Sequence, residues 1–135
     1  MPQSNADLIR AAKKVARFRR ATDEVTFGHV GAALLTDKGN VYTGVSVDAW
    51  CGLGFCAEPS AISSMLANGE HRIKKIVAVN SRNGAILPPC GRCREFIYQV
   101  TSDKSVKVIL TEGREVPLGK LLPEQWQEKA FKRRH

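Results

Sequence analysis

The chain is 135 residues long, 43% hydrophobic and 25% charged. That length gives one domain with a core of its own, and the composition excludes intrinsic disorder as the main state. No apolar run approaches the roughly 20 residues of a membrane-crossing helix. Met1 to Asp7 lacks the apolar segment of a secretory signal, so a cytoplasmic protein is expected.

The formal net charge of +8 sits at the two ends of the chain. Arg10, Lys13, Lys14, Arg17, Arg19 and Arg20 stand against Asp7 alone; Lys129, Lys132, Arg133 and Arg134 stand against Glu128. These groups account for the whole excess, so residues 21–125 are neutral. A neutral middle is not a phosphate-tracking surface. The basic ends read instead as a solvated helix face and a tail from about residue 124.

In chain order, Leu8, Ile9, Ala12, Val15 and Ala16 recur at helical spacing, predicting a helix over 7–20 capped by Ser4 or Asn5. Residues 30–36 are small and aliphatic and read as a buried strand. Asp37-Lys38-Gly39-Asn40 is a turn, and 41–47 alternates, so the two strands form a hairpin. The glycine-rich loop Trp50 to Gly54 leads to a helix over 58–66, ended by Asn68-Gly69. Residues 73–80 form a strongly aliphatic strand and 81–89 a loop. A helix over 90–100 is entered through Pro88-Pro89, where the first turn's amides are unpaired and proline is tolerated. A strand over 106–110 and a short helix over 118–122 complete the set. Helices alternating with strands after an opening hairpin imply a three-layer α/β domain with a mixed sheet, covering residues 1–135.

Cys51, Cys56, Cys90 and Cys93 could form two disulfides, but a chain with its own core points rather to metal binding or catalysis. Cys56-Ala57-Glu58 and Pro89-Cys90-Gly91-Arg92-Cys93 each open a predicted helix after a loop. A helix start favours thiolates, because its free amides and dipole attract negative charge. Cys90 and Cys93 are one turn apart, so both can face one ion. Three thiolates leave the fourth tetrahedral position of a zinc ion to water, the mark of a catalytic site. A redox pair at Cys90 and Cys93 would leave Cys56 and Glu58 without a role. A four-cysteine structural zinc site using Cys51 would leave a helix-borne glutamate beside the metal for no reason.

This pattern resembles the zinc-dependent cytidine deaminases, particularly their small homotetrameric branch, which also contains the blasticidin-S deaminases. The resemblance runs from His29-Val30-Gly31-Ala32-Ala33 through both cysteine motifs to Leu121-Leu122-Pro123. It implies an α/β/α sandwich on a mixed five-stranded sheet, with one zinc ion on Cys56, Cys90 and Cys93. It further implies Glu58 as general acid–base in hydrolytic deamination of cytidine or deoxycytidine. The partner is then a small nucleoside, with no membrane involved and nucleic acid disfavoured by the neutral middle.

The resemblance also implies substrate contacts. The Ala57 amide holds the ring's carbonyl oxygen. Ser46 and Asp48 stand where the family carries an asparagine and a glutamate for the ribose 3′-hydroxyl. The family's stacking phenylalanine aligns with Gly28, which makes Phe27 and His29 the neighbouring candidates. Trp126 lies past the last motif and either lines a pocket or packs at a subunit interface. One departure stands out: many members follow the glutamate with an arginine that offsets the extra thiolate charge, and here that position is Pro59. Arg92 or Arg94 is then the substitute. This departure and the His29–Ala33 string lean toward the blasticidin-S-type enzymes, which makes a nucleoside antibiotic the alternative substrate.

Overall fold

The computed structural model describes residues 3–127. Its first helix, α1 (Asn5–Val15), begins at a reciprocal cap: Ser4 Oγ accepts from the Asp7 amide at 3.1 Å, and Asp7 Oδ2 accepts from the Ser4 amide at 3.0 Å. The helix stops before Arg17 rather than running to Arg20. Past Ala16 its apolar face is exhausted, and Arg19–Arg20 instead pair as a two-residue strand, β1, with Phe27 and Thr26.

The remaining elements are β2 (Thr26–Thr36), β3 (Val41–Asp48), a short turn of helix at Trp50–Gly52, α2 (Ala57–Ala67), β4 (Ile73–Asn80), β5 (Ile86–Leu87), α3 (Gly91–Thr101), β6 (Lys107–Thr111), β7 (Arg114–Pro117) and α4 (Leu118–Leu121). The expected elements appear in order, β5 forms within the stretch 81–89 expected as a loop, and β7 is an added strand. Among the described residues the sheet holds seven strands rather than the expected five. β3, β2, β4, β6 and β7 lie side by side. β1 shares an edge of β2 with β4, and β5 shares an edge of β4 with β6. Only β4 and β6 run parallel, so the sheet is mixed.

Alternation along the central strands creates two cores. Ala33, Leu35, Val77, Val79 and Ile109 face α1, packing on Leu8, Ile9 and Ala12. Ala32, Leu34, Ile76, Ala78 and Val108 face the other way, against Ala61, Ile62 and Met65 of α2 and Ile97 of α3. The three-layer α/β/α architecture is therefore present. Helix α2 sits unusually close to the sheet, because Gly44 lacks a side chain. A Cβ at Gly44 would lie 2.2 Å from the Ala61 nitrogen.

The basic tail expected from about residue 124 lies, from residue 128 onward, outside the described residues. Among the described residues no helix is long and apolar enough to cross a membrane.

Candidate metal and substrate site

Two helix N-termini converge at the end of the sheet where β2 begins and β4 ends. Cys56 is the N-cap of α2 and Cys90 the N-cap of α3, both with extended backbone; Cys93 follows one turn into α3. Neither cysteine caps its helix through its side chain, so both thiols are free to turn inward. The sulfurs stand 3.7 Å apart for Cys56 and Cys90 and 3.3 Å apart for Cys90 and Cys93. All three lie within 4.8 Å of one another. Two sulfurs bound at about 2.3 Å on one tetrahedral zinc are separated by about 3.8 Å, so this donor set fits the ion. Cys51 is exposed on the neighbouring turn, outside this group.

Glu58 is buried, at 5% exposure, and its Oε1 lies 3.7 Å from Cys93 Sγ. Burial raises its pKa above the ordinary carboxylate range. Burial also raises the Cys93 thiol strongly, and the Glu58 charge adds to it. Cys56 is raised too, chiefly by burial. At Cys90 burial is outweighed by hydrogen bonds from the Cys93 backbone and the neighbouring thiols, and its pKa falls. Acidic groups packed so tightly call for a cation among them.

A cavity of about 620 Å³ opens onto this cluster. Cys56, Ala57, Glu58 and Cys90 form its floor, and Val30, Ala78, Leu87 and Pro88 give apolar walls. At the rim stand His29, Ser46 and Asp48, with Arg92 joining the lining from the first turn of α3, between Cys90 and Cys93. His29 Nε2 lies 3.4 Å from Asp48 Oδ2. Ser46 Oγ accepts the Val30 amide at 3.0 Å, so its hydroxyl hydrogen remains available to a ligand.

This rim depends on a bulge. Between Phe27 and Gly31 the register of β2 against β3 shifts, and Gly28 sits at φ +86°. A Cβ there would meet the Arg17 carbonyl oxygen at 1.9 Å, so no aromatic fits at that position. The bulge turns His29 toward the cavity and leaves Phe27 outside the lining residues, with the Arg19 guanidinium 4.6 Å from its ring centre. Trp126 is also absent from the lining: its Nε1 donates to Glu95 Oε2 at 3.2 Å, on α3.

The sequence reading missed three contributors. Phe18 stacks on His29 with ring centres 4.3 Å apart; it lies in the stretch read as helix, and only the strand pairing of β1 brings it there. Leu87 reaches the cavity through β5, which at two residues carries no periodic signal. Phe55 lines the cavity because its N–H and C=O bond Val47 at 2.9 Å each, closing the loop from β3 back to Cys56. Pro59 occupies the first turn of α2, where its missing N–H costs no helix bond. Arg94 donates to the carbonyls of Pro89 and Leu121, while Arg92 lines the cavity.

The chain matches the zinc-binding region of the cytidine and deoxycytidylate deaminases over residues 2–110. It is 35% identical over 97 residues to a blasticidin-S deaminase of Bacillus cereus, a match spanning 62% of this chain and 69% of that protein. It is 36% identical over 96 residues to a cytidine deaminase of Mycobacterium tuberculosis, spanning 70% of each. The crystal structure of a cytidine deaminase from Mycobacterium tuberculosis superposes with a TM-score of 0.74 at 30% identity, covering 88% of this chain and 94% of that one. The cytidine deaminase of Burkholderia pseudomallei gives 0.73 at 31% identity, covering 90% and 98%. With the three-cysteine cluster, the glutamate beside it and the sandwich that carries them all accounted for, the chain belongs to the cytidine deaminase family of zinc-binding hydrolases.

Proposed function

We propose that this protein hydrolyses the exocyclic amine of a free cytosine nucleoside, giving the uracil nucleoside and ammonia. The observation that carries the reading is the meeting of Cys56, Cys90, Cys93 and the Glu58 carboxylate on the floor of one cavity.

Cys56, Cys90 and Cys93 would hold zinc, whose Lewis acidity makes a water nucleophilic near neutral pH. Glu58 is the proton carrier: its carboxylate takes one proton of the water that adds to ring carbon 4 and gives it to the ring nitrogen. It then carries the second, from the new C4 hydroxyl, to the amine, which leaves as ammonia as the C4 carbonyl forms. Burial suits it to that work, since it raises the pKa of the carboxyl and so eases the protonated form from which it donates. Ala57 is buried at the first position of α2, where its N–H has no intrahelical partner and can hold the ring's carbonyl oxygen. Val30, Leu87 and Pro88 flank the ring and exclude water.

Asp48, Ser46 and His29 receive the sugar end. Asp48 accepts a hydroxyl, Ser46 donates, and His29, held by Phe18, fixes the Asp48 carboxylate. A cavity of about 620 Å³ suits a single nucleoside, within the usual range for small-molecule sites. A carboxylate at the rim opposes a phosphate there, which argues against a nucleic-acid strand. A nucleoside antibiotic of the blasticidin-S type is the second reading. The relative from Bacillus cereus, together with Pro59 in place of arginine, favours it.

The working form is taken to be a cytoplasmic homotetramer. Three thiols kept reduced for a metal suit a reducing compartment. Trp50, Leu53 and Phe55 are exposed beside the cavity mouth, an apolar rim that a neighbouring copy would cover. Ammonia release from cytidine, deoxycytidine, cytosine, blasticidin S and a cytosine-containing oligonucleotide tests the whole reading. Turnover of a free nucleoside is expected; activity on the oligonucleotide alone would overturn it.

A further inference from the structure

Two consecutive residues just past the last cysteine of the cluster grip the end of the described chain. Arg94 Nε donates to the Pro89 carbonyl at 2.8 Å, and its NH1 donates to the Leu121 carbonyl at 3.1 Å. Pro89 is the buried residue directly before Cys90. Glu95 Oε2 accepts from Gln125 Nε2 at 2.8 Å and from the Trp126 indole at 3.2 Å, and also from Gln99 at 2.7 Å. Gln125 is buried at 2% exposure although wholly polar. Between the two grips the chain reverses at Glu124, a non-glycine residue at φ +54°. Backbone in that region persists only where its surroundings hold it.

We infer that Arg94 and Glu95 are positioning residues that clasp segment 121–126 onto α3 and thereby set the geometry of the Cys90–Cys93 thiols. The inference rests on the zinc reading of those thiols. One guanidinium joins the carbonyl ahead of Cys90 to the end of α4, so movement of the terminal segment is felt at the cysteine. A planar two-bond fork suits this task and a lysine does not replace it. Outer groups that orient ligand residues govern metal retention, and their loss costs about 10–100-fold in affinity. In this chain the outer group reaches beyond the site to the C-terminal segment.

The test compares the zinc-loaded parent protein with Arg94→Lys, Glu95→Gln and Trp126→Phe. Zinc transfer to a chromogenic chelator is followed, and the visible thiolate and d–d bands are recorded after cobalt(II) substitution. Expected are zinc loss faster by about 10-fold or more and shifted cobalt bands, with no rescue by lysine at Arg94. The Glu95→Gln, Trp126→Phe double variant should match the worse single one, because both act through one contact. Trp126 is half exposed, so Trp126→Phe keeps the test open should Arg94→Lys fail to fold. Parental zinc loss and parental cobalt spectra in folded variants would overturn the clasp alone. Zinc loss rising only in step with global unfolding would overturn it too. A parent protein that binds no zinc would overturn the metal reading and the clasp together.

Discussion

Glu58 Oε1 and Cys93 Sγ lie 3.7 Å apart, both buried, on different helices. Neither position is a natural place for an acidic group. Each, however, lies in the first turn of its helix, where the free amides and dipole of α2 and α3 favour negative charge. The pair thus ties the fold to the chemistry: the sheet that spaces the two helices also spaces the acid from the thiols.

Metal content should depend on three cysteines and not on the fourth. Replacing Cys56, Cys90 or Cys93 with serine should reduce zinc well below one ion per chain, whereas Cys51→Ser should leave it at one. Elemental analysis of the purified variants decides this. Zinc lost on replacement of Cys51 would mean a different ligand set.

Asp48→Ala should lower kcat/KM for the preferred nucleoside by about 10-fold or more, with zinc retained. Losing one hydrogen bond to a charged acceptor costs about 1.5–3 kcal/mol, which is consistent with that factor. Steady-state kinetics of cytidine on both proteins measure it. Good turnover insensitive to the substitution would remove Asp48 from the substrate site.

Much of this site was legible in the sequence, and the reason is local. Cys56, Glu58, Cys90 and Cys93 are placed by helix starts, and a helix start is written in a few adjacent residues. The alternation of Ala32 to Leu35 and Ile76 to Val79 likewise displays both faces of the central strands. What was illegible is non-local. His29 meets Asp48 only through a bulge at Gly28, and Phe18 reaches His29 only because α1 stops early and β1 pairs with β2. β7 escaped notice because Arg114-Glu115-Val116-Pro117 has charges and a proline where a strand signal would stand; at a sheet edge both are tolerated.

Gly44→Ala should destabilise the protein by about 1–3 kcal/mol, because the added methyl drives α2 away from β3. Gly113→Ala, with open space around the new methyl, should have little effect. Urea unfolding of the two variants checks the contrast. Equal stabilities would mean that α2 can shift at no cost.

A second stability prediction concerns the buried carboxylate Glu70, which accepts from the Tyr42 hydroxyl at 2.7 Å and the Asn40 amide at 2.8 Å. These bonds, the tyrosine's foremost, hold its pKa below the ordinary value. A depressed folded pKa stabilises the fold above the unfolded value of about 4.3, and this is lost as pH falls through the lower folded value. Tyr42→Phe should therefore lower the melting temperature at neutral pH, and the gap to the parent should narrow below about pH 4. A gap independent of pH would assign the tyrosine to packing alone.

The central claim is that Glu58 moves the proton in a zinc-dependent deamination. The most direct measurement is uracil-nucleoside formation by Glu58→Gln alongside its zinc content. Glutamine preserves the shape of the side chain and removes its basicity. The account predicts one zinc per chain, an intact fold and turnover lower by at least about 10²–10⁴-fold. Near-parental turnover with zinc in place would contradict it.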